Sequence, residues 1–109
     1  CGCVCFVYLT APFEVIIDYF RLHPQNRDAM VKTWNYYDCI NFAERIQCPI
    51  ILYIGLQDDV CPPETAYPLM DKIQSPEKKL YAYDGHGHDA NIHVHDQVVD
   101  TFFDNQLKT

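Results

Sequence analysis

The chain has 109 residues, 49% of them hydrophobic, and 8 Lys and Arg against 15 Asp and Glu leave a net charge of −7. That length gives room for one domain, which would bury about 60–70% of the surface its unfolded form exposes, and the apolar share fits a globular core rather than a disordered chain. The charge argues against nucleic acid, because phosphate binding depends on clustered Lys and Arg, and no apolar run approaches the ~20 residues of a membrane helix.

The first residue is Cys1, and no charged-then-apolar-then-small stretch follows it. No targeting segment is therefore expected in this portion, and localisation stays open with a cytoplasmic lean. Cys1, Cys3 and Cys5 alternate, so on a strand they share one face. Such a row reads as apolar packing. No Cys-x-x-Cys pair occurs among the six cysteines, so the common zinc spacings are missing.

Val4-Cys5-Phe6-Val7-Tyr8-Leu9 reads as a first strand, closed by Ala11-Pro12. From Phe13 to Leu22, the residues Phe13, Ile16, Ile17 and Phe20 recur at helical spacing. His23, before Pro24, reads as a loop residue. Met30, Thr33, Trp34 and Tyr37 predict a second helix, and Cys39, Phe42, Ala43 and Ile46 a third behind an Asp38 cap. Ile50-Ile51-Leu52-Tyr53-Ile54 is apolar throughout and follows Pro49, as expected for a strand buried on both faces of a parallel sheet. Pro68 would remove a hydrogen bond inside a helix, so a turn is expected over residues 62–67. A short helix with Leu69, Met70 and Ile73 would then start near Pro68, in the first turn that tolerates proline. Leu80-Tyr81-Ala82-Tyr83 is a third strand ending at Asp84-Gly85, and Val98, Val99, Phe102 and Phe103 mark a last helix running to about Gln106. Nearly all-apolar strands separated by helices predict an α/β fold with a parallel sheet.

Such a sheet gathers functional groups at the carboxyl ends of its strands. Asp58 follows the strand ending at Ile54, and His88 follows the strand ending at Tyr83, so both fall on one rim. A carboxylate there can orient an imidazole and stabilise its protonated form, while the imidazole takes a nucleophile's proton. An acid followed by a histidine is the order of the second half of a Ser…Asp…His hydrolase. The nucleophile is missing. The only serine, Ser75, sits in Gln74-Ser75-Pro76-Glu77-Lys78-Lys79 with no Gly-x-Ser-x-Gly frame, and before the third strand, on the opposite rim. Cys1-Gly2-Cys3 precedes a strand, and Cys61 lies on the acid loop where a nucleophile would have no room for its own base. Taken alone, Asp58 reads more readily as a turn residue; the strand before it and the histidine past the next strand are what point to a role.

A resemblance follows from these residues. The segment Trp34-Asn35-Tyr36-Tyr37-Asp38-Cys39-Ile40-Asn41-Phe42-Ala43-Glu44-Arg45-Ile46-Gln47-Cys48-Pro49, continued by Gly55-Leu56-Gln57-Asp58-Asp59-Val60-Cys61-Pro62-Pro63-Glu64-Thr65, resembles the acetyl xylan esterase / cephalosporin C deacetylase family. That family carries Tyr-x-Asp-x-x-Asn-x-Ala-x-x-Ile and then Gly-Leu-x-Asp-x-x-x-Pro-Pro-x-Thr. The resemblance implies an α/β-hydrolase fold with Asp58 as triad acid and a histidine of the following turn as base. It covers only the C-terminal third of such an enzyme, so residues 1–109 are expected to be a partial domain whose serine elbow lies upstream. It further implies homo-oligomers, small acetylated substrates such as xylo-oligosaccharides or cephalosporins, and no metal or organic cofactor.

The base is a choice between two residues. Counting from Tyr81-Ala82-Tyr83 lands on His86, whereas counting back from Phe102, the acidic neighbour Asp89 and the Gly-x-Gly-His turn favour His88. Two other readings remain open. His86, His88, Asp89, His93 and His95 could form a metal site, although the spacing matches no standard zinc pattern; exposure to solvent is the default for His93 and His95. A small non-enzymatic α/β module binding a partner along a sheet edge is the other.

Overall fold

The structure, a computed structural model, describes residues 14–108. The expected strand over residues 4–9, the Cys1, Cys3, Cys5 row and Phe13 lie outside the described residues. Helix α1 (Glu14–Leu22) turns Ile16, Ile17 and Phe20 inward, and Phe20 is buried. A 3-10 turn (Pro24–Asn26) leads into α2 (Arg27–Trp34). The expected continuation of α2 to Tyr37 does not form. The backbone N–H groups of Tyr37 and Asp38 both return to the Trp34 carbonyl, which closes the helix and leaves Tyr37 exposed.

The helix expected over residues 39–46 is instead two 3-10 turns, Cys39–Asn41 and Ala43–Arg45. Asp38 does cap this segment, its Oδ1 accepting from the Ile40 N–H at 3.1 Å. Eight residues are too few for an α-helix to be stable on propensity alone, and Pro49 forces the chain back to extended backbone. The inward face changes with the helix type: Ala43 is buried and Ile46 half-buried as expected, but Cys39 and Phe42 are exposed and Ile40 takes their place in the core.

Strands β1 (Ile50–Gly55) and β2 (Lys78–Tyr83) pair in parallel, Ile50 opposite Lys78 and Gly55 opposite Tyr83. Between them, a 3-10 turn (Pro63–Thr65) opens α3 (Ala66–Lys72). The helix thus starts two residues before Pro68. Proline is accommodated because the first-turn N–H groups have no acceptor within the helix. Lys78 closes the other end, its Nζ donating to the Met70 and Ile73 carbonyls at 2.6 and 2.8 Å, where cations also suit the helix dipole.

The expected burial of β1 on both faces is only partial, since Ile50, Ile51 and Leu52 are half-buried and Tyr53 is exposed. β2 opens with the exposed Lys78 and Lys79. Side chains alternate between the two faces. Ile50, Leu52 and Leu80 pack with Ala43, Leu69, Met70 and Ile73 on the α3 side. Tyr53, Tyr81 and Tyr83 meet helix α4 (Ile92–Leu107) on the other. Helix, sheet and helix therefore stack as three layers, and both strands deliver their carboxyl ends to one rim. No helix among the described residues is long and apolar enough to cross a membrane.

Candidate active site

Asp58 lies just beyond β1, in a tight turn that its own side chain builds. Oδ1 accepts the backbone N–H groups of Val60 at 2.9 Å and Cys61 at 2.8 Å. These bonds leave Oδ2 for one further donor, and that donor is His88 Nδ1 at 3.0 Å. The Asp58 side chain is 8% exposed and that of His88 62%. Burial on its own would raise the Asp58 pKa. The hydrogen bonds from Cys61, His88 and Val60, with the attraction of the imidazole, outweigh it and hold the carboxyl below its ordinary value. Asp58 is therefore an anion that can only accept, so Nδ1 must carry the proton of a neutral His88. Its Nε2 is then left with the lone pair, the tautomer of a general base.

The two loops that carry this pair are sewn together through their backbones. Leu56 N–H donates to the Tyr83 carbonyl at 3.0 Å, and Gln57 N–H to the His86 carbonyl at 2.9 Å. The Gln57 side-chain amide reaches Asp84 Oδ1 at 2.8 Å. Gly55 permits this closeness, since a Cβ there would overlap the Gly87 and His86 carbonyl oxygens. Past the histidine, Ala90 and Asn91 both have positive φ, 43° and 56°. Side chains other than glycine adopt such backbone at a cost, and the surrounding contacts must hold it there. Asp89 supplies several of them, accepting from the Gly87 N–H at 3.1 Å, the Asn91 N–H at 3.1 Å and His86 Nδ1 at 2.9 Å.

His86 therefore faces Asp89, and His88 is the histidine that meets Asp58. The residues weighed as metal ligands separate: His86 and Asp89 pair with each other, His88 with Asp58, and His95 turns into the interior. Among the described residues no three His, Cys, Asp or Glu side chains converge as a metal site would require. His93 is exposed, as expected. The expectation for His95 is overturned, because it is 1% exposed and its Nδ1 lies 2.9 Å from the Tyr83 hydroxyl. The signal was present in the sequence: His95, Val99 and Phe102 continue one helical stripe, and α4 starts early enough to include it.

Other nucleophile candidates are occupied elsewhere. The Ser75 hydroxyl is bound into its own turn, donating to the Glu77 carbonyl and accepting its N–H, ahead of the amino end of β2. Thr65 donates to the Pro62 carbonyl. Burial, and then the negative charge of Asp58, push the Cys61 thiol pKa up, which keeps it protonated and a poor nucleophile.

Comparisons with known proteins agree with this architecture. The family model of acetyl xylan esterase (AXE1) matches residues 4–106. Acetyl esterase Axe7A of Xylanibacter ruminicola is 46% identical over 50 residues. An acetyl xylan esterase from Paenibacillus sp. R4 superposes on 91% of this chain with a TM-score of 0.78 and 26% identity. The matched parts make up 11% of the first protein and 32% of the second, so the chain spans a minor part of the relatives it matches. The helix-covered parallel sheet is that of an α/β-hydrolase.

Proposed function

The chain belongs to the acetyl xylan esterase family, and from that premise we propose that it carries the acid and base of a serine carboxylesterase that deacetylates carbohydrates. The contact between His88 Nδ1 and Asp58 Oδ2, at 3.0 Å across the ends of adjacent parallel strands, supports this reading most directly. Asp58 fixes the tautomer and orientation of His88, and His88 Nε2 takes the proton of an attacking serine hydroxyl. The serine oxygen then bonds to the acetyl carbonyl carbon, and His88 returns the proton to the departing sugar oxygen. Water, activated by the same Nε2, releases acetate from the acyl-enzyme. On this reading the serine and the oxyanion donors lie outside residues 1–109, which form part of one hydrolase domain. The substrate class is a small acetyl ester such as an acetylated xylo-oligosaccharide, and the working enzyme is a homo-oligomer.

The test is acetate release from acetylated xylo-oligosaccharides by the enzyme that contains these residues, with and without His88→Ala. Loss of the base should lower turnover by about a thousandfold or more; unchanged release would overturn the assignment. Residues 1–109 alone should hydrolyse no p-nitrophenyl acetate until a portion carrying the serine elbow is supplied. Turnover by these residues alone that a serine reagent abolishes would place the nucleophile among them.

A further inference from the structure

The histidine turn must be held to within a fraction of an ångström, yet His88 itself is largely exposed and two residues beside it have strained backbone. A loop of this kind is only as well placed as its two ends. One end is Tyr83, the last residue of β2, and the other is the first turn of α4, where His95 lies. These two side chains meet beneath the loop, Tyr83 hydroxyl to His95 Nδ1 at 2.9 Å. The His95 ring lies 3.9 Å from the Tyr53 ring at 31°, centroid to centroid, and meets Tyr81 and Tyr83 edge-on at 5.3 and 5.7 Å. One buried side chain thus touches β1, which leads to Asp58, and β2, which leads to His88.

We infer that His95 is a positioning residue for the proposed base, clamping both ends of the 84–91 loop through Tyr83 so that His88 stays on Asp58. The inference rests on the reading of His88 as the base. A leucine or phenylalanine would fill the same space between the tyrosine rings, so packing alone does not require an imidazole there. The imidazole also carries a cost that packing would avoid, for its Nε2 is buried with no hydrogen-bond partner among the described residues. Each neutral tautomer leaves Nε2 unmatched, either as a bare lone pair or as an undirected N–H. The Tyr83 bond is what the histidine adds over an apolar residue. Tyr83 transmits the clamp further, since its ring also meets His86 edge-on at 6.4 Å and its carbonyl holds Leu56 of the acid loop.

The test compares Tyr83→Phe, His95→Phe and His95→Asn in the complete enzyme. Asparagine can place an amide near the position of Nδ1, whereas phenylalanine keeps bulk without the bond. Removing the bond should lower kcat by about tenfold with KM changed less than about twofold, because misplacement by ~1 Å costs up to a hundredfold. His95→Asn should recover most of that loss. Nitrogen-labelled histidine gives a second readout, the His88 Nδ1 proton, which should exchange faster with solvent in both phenylalanine variants. Full kcat and an unchanged Nδ1 proton in Tyr83→Phe, which loses one oxygen atom only, would overturn the inference. So would equal losses in His95→Phe and His95→Asn, the mark of a merely structural role. Should His88→Ala leave acetate release intact, the assignment of His88 as base falls on its own, and the Nδ1 proton still decides whether the clamp holds the ring.

Discussion

Two histidine–carboxylate pairs lie side by side on this rim at nearly the same length, and they are built in opposite ways. His88 and Asp58 are 30 residues apart and meet at 3.0 Å only because β1 and β2 are adjacent. His86 and Asp89 are three residues apart and meet at 2.9 Å within a single turn. The Asp58 side chain is 8% exposed, whereas that of Asp89 is 57% exposed. In the local pair, the hydrogen bond from His86 is the main cause that lowers the Asp89 pKa. In the long-range pair, hydrogen bonds have to overcome burial before the Asp58 pKa falls. A histidine–carboxylate contact exposed on one turn organises that turn and contributes little else. A carboxylate buried between strands and aimed at one ring nitrogen selects a tautomer, and that is the property acid–base chemistry needs.

If this contrast is functional, substitutions in the two pairs should differ by orders of magnitude. In the complete enzyme, Asp58→Asn should lower acetyl-ester turnover by about ten-thousandfold with the fold intact, because the amide favours the wrong His88 tautomer. Turnover within a few-fold of the parent, with an unchanged circular dichroism spectrum, would remove Asp58 from the mechanism. Gly55→Ala probes the seam between the two pairs. Its methyl group would strike the Gly87 and His86 carbonyl oxygens, so the histidine turn must move, with an expected loss of about a hundredfold in kcat. A crystal structure of that variant with the His88 contact preserved would contradict this account of the glycine.

Asp89→Ala should have a smaller effect. It removes acceptors that hold Gly87, Asn91 and His86, and kcat should fall about tenfold as the turn loosens. His86→Asn should stay within about threefold of the parent, since an asparagine amide can still donate to Asp89 and the His86 carbonyl that binds Gln57 is unchanged. A His86→Asn loss as large as that of Asp58→Asn would exchange the roles of the two pairs.

The smallest expected effect is on stability against pH. His95 is buried, and desolvation holds its pKa below the ordinary 6.5, against a weaker upward pull from Asp96. Tyr53 and Tyr81 from the sheet face it as neutral rings, and Tyr83 as its hydrogen-bond partner. The unfolded chain therefore binds the proton more readily, so stability should decrease as pH drops below 6.5 and level off once the folded pKa is passed. Thermal midpoints from pH 8 to pH 5 should fall less steeply for His95→Phe than for the parent. Parallel curves for the two proteins would show that His95 takes up no proton on unfolding.

How much of this was legible in the residues varies along the chain. The all-apolar Ile50–Ile54 run, bounded by Pro49 and a Gly-x-x-Asp turn, reads as a parallel strand on composition alone, and β1 has those limits to within a residue, although of the run only Ile54 is buried. The short segment 39–46 was harder to read, because a helix would turn Cys39 and Phe42 inward, whereas the two 3-10 turns bury Ile40 and Ala43 and leave Cys39 and Phe42 exposed. Pro68 misled by two residues, since proline tolerance covers a whole first turn and does not single out its first position.

At the site, the sequence by itself determined which chemistry was on offer: an acid past one strand, histidines past the next, and no framed serine. Local signals, Asp89 and the Gly-x-Gly-His turn, favour His88, and the tertiary structure brings that histidine to Asp58. Strand register alone, Gly55 opposite Tyr83, sets Asp58 level with His86. The turn that ties the His86 carbonyl to Gln57 and the His86 ring to Asp89 carries His88 across. Only the tertiary structure decided that His95 lies inside among three tyrosines while His93, two residues away, faces solvent. Helical periodicity marks which face of α4 is apolar, but a polar residue on that face is buried only where a neighbouring strand supplies its partner, as Tyr83 does here.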